Sequence, residues 1–395
     1  MVKTRDTGRF GRSLIRATRG LQSWGIQRLK PLKKKITRRL RGLIRAIPFF
    51  VRFINGNVIG ISEAPAISKW GLVIANYRAE IEPDLPLLPT RLALWEKAQL
   101  IQKSSGAWPI SFSFPRQAQG VPDSFAGYLC PTFPGHSYSF ANEADYYRNY
   151  RDYRFALTHK KGGWDCFRHL EIIHAGSVPY MPDAHLIPDN TMVFYPKVFL
   201  AEIAESMGRA RVSVPPSVRQ SLNTFFNQNL TTEAMARYLL RASEIDINAN
   251  VLFVDTAVAT RPDYQSNLTL IGLKQILGKK LSVAFPANYI YDDWPDSPTE
   301  LYGRGFGYAL CLDRTLKNQN EIDDRYLPTD ASSLNQFDAV IVGSVTRNRA
   351  IAHELLSSFA PERTVWLHGE DVGPSRRETD SLLATGVKLF VRELN

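Results

Sequence analysis

FALTHKKGGWDCFRHLEIIHAG, Phe155 to Gly176, decides the fold. Phe155–Thr158 is a short apolar run with strand character, and HKKGG follows as a loop of two lysines and two glycines. From about Asp165 to His174 the apolar positions recur at helical spacing, and Ser177–Tyr180 is a further short strand. Strand, glycine-containing loop and helix in that order are the units of an α/β sheet. In such sheets ligands sit at the carboxyl ends of the strands, where loops and helix N-termini present backbone N–H groups. Gly162 and Gly163 let backbone approach an anion, Lys160 and Lys161 supply cations beside it, and the helix N-terminus adds partial positive charge. Arg168 and His169 reach the same anion from the first turn, and Glu171 is an acceptor for hydroxyl groups. By itself a KKGG loop reads equally as a solvated turn, with Asp165 capping the helix and Arg168 on its polar face.

Outward from this unit the pattern repeats. Upstream, Thr90–Lys103 is a candidate helix, ISFSFP at Ile110–Pro115 a buried-strand pattern ended by proline, and Gly71–Ala75 a short strand. Downstream, Lys197–Ser206, Val218–Phe226 and Thr232–Ala242 are helical, the last two with no strand between them. VLFVDTA at Val251 opens a second alternating series. A helix is expected at Leu268–Leu277 and strands at Lys280–Phe285, Ala339–Val342, Thr364–Leu367 and Val387–Val391, with helices at Arg349–Phe359 and Ser375–Ala384 between them. The expected fold is α/β, two Rossmann-like lobes behind a basic helical extension. The boundaries fall at residues 1–57 for the extension, 58–212 for the first lobe, 213–248 for a helical linker and 249–395 for the second lobe.

A chain of 395 residues suffices for two cores. Its net charge of +11 is localised: through Ser62 there are sixteen Lys and Arg against Asp6 alone, so the rest of the chain is net −4. The basic stretch interleaves its cations with Leu, Ile, Trp24, Phe49 and Phe50, and Pro31 divides it into two short amphipathic helices. Residues 1–52 are suited to an anionic membrane surface, and read equally as a solvated basic tail. Nucleic-acid binding finds no support downstream. No uncharged apolar run reaches the length of a membrane span, and three separated cysteines fit a reducing compartment. The expected location is the cytoplasm, peripheral on a membrane's inner face.

His169, His174 and His185 lack zinc-site spacing, DDWPD at Asp292–Asp296 reads as a loop rather than a metal-binding DxD, and no GxSxG elbow occurs. No metal or cofactor is expected.

The run YYRNYRDYRFALTHKKGGWDCFRHLEIIHAGSVPYMPDAHLIPDNTMVFYPK resembles the nucleotide-sugar-binding lobe of the exostosin/CgeB-like GT-B glycosyltransferases. Those enzymes follow a strand with a glycine-containing loop, an Arg-His-x-Glu helix and an Ala-Gly-x-Val-Pro turn leading to an aromatic residue. Here these are Arg168, His169 and Glu171, then Ala175, Gly176, Val178, Pro179 and Tyr180. The other half of that family is echoed by Asp255, Asp263-Tyr264-Gln265, Gly272-Leu273-Lys274, Gly303-Arg304-Gly305-Phe306, Gly369-Glu370-Asp371 and Arg392-Glu393-Leu394. The resemblance implies a nucleotide-sugar donor bound by Lys160, Lys161, Gly162, Gly163, Asp165, Arg168, His169, Glu171 and Gly176, with Arg168 and a lysine on the diphosphate and Glu171 on the ribose or sugar. It also implies transfer to a glycan, lipid-linked or protein acceptor, as in polysaccharide biosynthesis. Asp255, Glu370 and Asp371, at strand ends, are the candidate bases for the acceptor hydroxyl, and each reads equally as a helix cap. In the family the lobe ending in FxREL comes first, so the order here is reversed, as a circular permutation would make it. A non-catalytic nucleotide-sugar- or glycan-binding protein of the same fold is the alternative.

Overall fold

The computed structural model describes residues 80–132, 139–327 and 331–394. The basic extension and the strand expected at Gly71–Ala75 lie outside the described residues. The described chain, within one compact unit from Tyr77 on, is α/β with parallel sheets.

In chain order the first half holds β1 (Glu80–Ile81), α1 (Arg91–Ser105), β2 (Trp108–Pro109), β3 (Gly127–Leu129), α2 (Glu143–Arg151), β4 (Tyr153–Leu157), α3 (Phe167–His174), β5 (Val178–Tyr180), α4 (Lys197–Met207) and β6 (Arg211–Val212). Then come α5 (Pro216–Asn229), α6 (Thr232–Ala242), β7 (Val251–Val254), α7 (Tyr264–Leu277), β8 (Leu281–Val283), α8 (Gln319–Ile322) and α9 (Ala331–Leu334). The last elements are β9 (Ala339–Val342), α10 (Arg349–Leu355), β10 (Thr364–His368), α11 (Arg376–Leu383) and β11 (Lys388–Val391).

One sheet has six parallel strands in the order β2-β11-β10-β9-β7-β8, a second has three in the order β3-β4-β5, and β1 pairs with β6. Counted from β7, the last five strands of the larger sheet run 2-1-3-4-5, the flavodoxin-like doubly wound order. Strands buried on both faces need apolar residues throughout, and VLFV, AVIV and TVWLH are fully buried.

Two features differ from the sequence expectation. The segment 58–212 does not keep to one sheet, because Trp108–Pro109 pairs with Phe390–Val391 at the edge of the larger one. Ile110–Phe114, the expected strand, is extended and buried but forms no ladder. Its backbone bonds go singly to Val391, to the Asp165 carboxylate, and to Leu230 and Thr232, so the segment threads between the two sheets. DDWPD is a turn in which Asp293 pairs with Lys317 and Asp292 accepts from the Arg314 N–H.

Candidate functional site

The loop after β4 and the loop after β10 meet over Phe112 to form a cleft of about 280 Å³. One wall is Lys161, Gly162, Gly163, Asp165, Cys166, Phe167, Arg168 and Glu171; the other is Tyr264, Tyr302, Gly303, Phe306 and Asp371, with Tyr146 at the back. Carboxyl ends of strands from both sheets therefore open on one space.

Helix α3 starts without a side-chain cap: Cys166 occupies the N-cap position and makes no capping bond. Asp165 does not cap it either. The Asp165 carboxylate accepts from the Phe112 N–H at 2.7 Å and the Tyr195 hydroxyl at 3.1 Å, tying the threading segment to the loop. Burial pushes this carboxyl up to about 7 despite the Arg392 guanidinium beside it.

Arg168 is 7% exposed and lines the cleft, and its Nε has no hydrogen-bond partner. Burial works against its charge, while Tyr150, Tyr146, Cys166 and Glu171 around it hold the proton on. Lys161 is exposed at the mouth of the cleft and forms no ion pair among the described residues. An uncapped helix N-terminus and two cations converging on one concavity form an anion site. Glu171 faces the same space; burial pushes its carboxyl up to about 7 against the pull of Arg168.

The opposite wall is aromatic. Tyr264 stacks on Phe167 with centroids 4.7 Å apart and meets Tyr302 edge-on at 5.6 Å. Tyr302, half exposed, and Phe306 are delivered by the turn Gly303-Arg304-Gly305, three successive left-handed residues with φ of 63°, 60° and 70°. A side chain at Gly303 would meet the Tyr264 hydroxyl at 2.5 Å, so glycine is needed there for space as well as for φ. Such a wall suits a ring, of a base or of a sugar.

Of the residues expected from the sequence, the cleft gathers Lys161, Gly162, Gly163, Asp165, Arg168, Glu171 and Asp371. Five others lie off it. His169 is buried with both ring nitrogens engaged, Nδ1 with the Thr158 hydroxyl at 2.9 Å and Nε2 with the Trp164 carbonyl at 3.0 Å, and burial lowers it to about 4. It has no donor left for an anion. Lys160 lies over the Trp164 ring at 4.8 Å. Gly176 has φ 88° and sits against the Gly120 carbonyl, a packing role. Asp255 is buried in a bond network with Ser266, Arg347, Asn348 and the Ala257 N–H, and Glu370 is exposed outside the cleft.

The glycines have a second use. A side chain at Gly162 would strike Asp371, and one at Gly163 would strike Glu393. Glu393 accepts from the Asp165 N–H at 2.9 Å, while Arg392 donates to the Asp165 carbonyl at 2.6 Å, the Gly369 carbonyl at 2.9 Å and Asp371 at 2.7 Å. Arg392, 1% exposed and 4.2 Å over Phe112, thus joins three chain segments beneath the cleft. Sequence reading missed this joint, and also Tyr146, Tyr264 and Tyr302 as cleft residues. Tyr264 and the Gly303–Phe306 turn nevertheless lie in stretches the resemblance singles out, and Tyr146 in the aromatic run before β4.

Among the described residues no group of three or more His, Cys, Asp or Glu converges as a metal site, and no helix is long and apolar enough to cross a membrane. Comparison with protein-family models, with curated proteins and with solved structures gives no match.

Proposed function

We propose that this chain is a glycosyltransferase of GT-B-like, two-lobed architecture that uses a nucleotide-sugar donor, with its lobes in the reverse of the exostosin/CgeB-like order. The observation that carries the reading is that Arg168 and Asp371, from the two halves of the chain that separately resemble that family, line one cleft. The diphosphate is held by Lys161, Arg168 and the α3 N-terminus, which neutralise the leaving group without a metal. The nucleoside or sugar ring lies against Tyr264 and Tyr302. Asp371, 63% exposed at the cleft edge, is the candidate base for the acceptor hydroxyl. The acceptor is a glycan or a glycosylated lipid or protein, and residues 1–52 hold the enzyme at an anionic membrane surface.

Donor hydrolysis and transfer are measured with UDP-, GDP- and dTDP-sugars. Turnover of at least one donor, lost in Arg168→Ala, is expected; turnover unchanged by that substitution would overturn the phosphate placement. A specific observation favours a second reading, non-catalytic binding of a nucleotide-sugar or glycan: Asp255 and Glu370 lie off the cleft, and Asp371 already pairs with Arg392. Saturable donor binding with no turnover supports it. Flotation with anionic vesicles, with and without residues 1–52, tests the membrane contact, which fails if deletion changes nothing.

A further inference from the structure

Glu171 lies one helical turn beyond Arg168, 7% exposed, with its side chain on the cleft. Its Oε2 accepts from the Tyr146 hydroxyl at 2.9 Å, and that hydroxyl is 3.0 Å from the hydroxyl of Tyr150. A phenol has one proton to give. While Glu171 is ionised, Tyr146 gives its proton to Oε2 and Tyr150 donates to Tyr146, so the chain Tyr150 to Tyr146 to Glu171 ends on Oε2 as an acceptor. Among the described residues Oε1 accepts no hydrogen bond. Oε1 is therefore the carboxyl oxygen free to carry a proton toward a ligand while Oε2 keeps its bond to Tyr146.

The ionisable groups around this carboxyl come from α3, the β4 loop and α2, and from the facing wall of the cleft. Arg168 on its own helix and Lys161 on the β4 loop favour the charged form; Glu143 on α2 opposes it, and Tyr146 on α2 donates to it. Asp165 on the loop, and Asp371 and Tyr264 across the cleft, complete the lining. Burial outweighs the two cations and brings the carboxyl to about 7.

We propose that the cleft takes up its phosphoanion together with a proton, which Glu171 carries on Oε1 and donates to the ligand. This rests on the nucleotide-sugar reading of the cleft. An anion drawn to Arg168 and Lys161 cancels the two charges that keep Glu171 ionised and adds a like charge beside it, and both effects bind the proton more tightly. A carboxylic acid is a donor where a carboxylate is only an acceptor. The role is the reverse of the one the family resemblance implies, an ionised Glu171 accepting from ribose or sugar hydroxyls. Linkage of one proton makes donor affinity fall as pH rises past 7, approaching about tenfold per pH unit.

The test is calorimetric binding to the full chain at pH 7.5 in two buffers of different ionisation enthalpy. The probes are UDP-, GDP- and dTDP-glucose and inorganic sulfate, whose own charges do not titrate there. Uptake of roughly a half to one proton per ligand is expected. Glu171→Gln keeps an oxygen for Tyr146 and presents a permanent donor, so its donor affinity becomes flat with pH and its proton uptake vanishes. The buffer pair on the unaltered protein decides the matter even if that variant folds poorly. Nucleotide-sugar binding with no uptake, or with release, overturns the proposal and leaves the nucleotide-sugar reading standing. Sulfate binding with uptake and no nucleotide-sugar binding does the opposite, and no binding of either kind overturns both.

Discussion

The loop after β4 and the loop after β7 occupy the same place in the topology, each leaving the carboxyl end of a parallel strand for a helix, and their polar groups are used in opposite ways. After β7, Asp255 is wholly buried and accepts from the Ser266 hydroxyl, the Arg347 guanidinium, the Asn348 amide at 3.0 Å and the Ala257 N–H at 3.1 Å. Arg347 gives a further bond to the Arg261 carbonyl at 2.8 Å. The strand order reverses between β7 and β9, the point at which open sheets generally admit ligands, and here the Asp255–Arg347 pair spans it. After β4, by contrast, the helix is uncapped, Arg168 keeps a free Nε and Glu171 a free Oε1. What separates the proposed binding loop from the structural one in this molecule is hydrogen-bonding capacity left unspent, not position in the fold.

Removing Asp255 should break the comparison hardest. Asp255→Ala leaves the Arg347 guanidinium, 20% exposed, without its counter-charge, and a broken buried pair costs about 3–5 kcal/mol. The unfolding free energy from urea titration should fall by that amount, and the midpoint with it, while nucleotide-sugar affinity of the folded protein stays unchanged. An unchanged midpoint with lost affinity would move Asp255 into the site. Arg168→Ala should do the reverse: loss of a charge-assisted bond to phosphate costs about 1.5–3 kcal/mol of binding, on the order of ten- to a hundred-fold in dissociation constant. Its midpoint should move less than that of Asp255→Ala.

The unbroken apolar runs of VLFV, AVIV and TVWL, alternating with helices, made the parallel sheet legible, because strands buried on both faces admit little else. Arg168 and Glu171 were legible for a similar reason, since a loop and one helical turn place them together. Asp255 misled because a carboxylate at a strand end looks the same in sequence whether its partners are ligand or protein. Its partner Arg347 lies 92 residues away, beyond the reach of any local pattern. His169 misled likewise, its two nitrogens being taken by Thr158 and Trp164. Trp108–Pro109 escaped notice because two residues carry no periodicity and their pairing partner is β11, near the other end of the chain.

The glycine pair sharpens the contrast within the β4 loop itself. Gly163→Ala would bring a methyl to 2.3 Å from Glu393 Oε1 and 3.2 Å from an Arg392 nitrogen, both held in the buried joint. Overpacking there should cost about 1–3 kcal/mol by urea unfolding. The atoms nearest a methyl at Gly162→Ala all belong to Asp371, a mostly exposed side chain that can swing aside, so this change should cost less. Equal costs would show the joint to be looser than its hydrogen bonds imply.

The smallest expected effect is the pH dependence of stability, because buried acids and buried histidines oppose each other. Asp165 and Glu171 are raised to about 7 by burial, so the folded state holds their protons longer than the unfolded chain does. Their contribution is fully present below about pH 4 and is lost as pH rises through 7. Burial lowers His169 to about 4 and His174 to about 3, so their contribution is present above about 6.5 and is lost as pH falls through those values. Asp183, Asp263 and Glu393 are raised as well, and His368 is lowered. The acids outnumber the histidines, so the unfolding free energy from urea titration at pH 5 should equal or exceed that at pH 7, with a slope below about 1.4 kcal/mol per pH unit for each uncompensated proton. A midpoint that climbs steeply from pH 5 to 7 would mean that burial does not raise the cleft carboxyls and that their hydrogen-bonding capacity is taken up within the protein. The β4 loop would then have spent its capacity just as the β7 loop has.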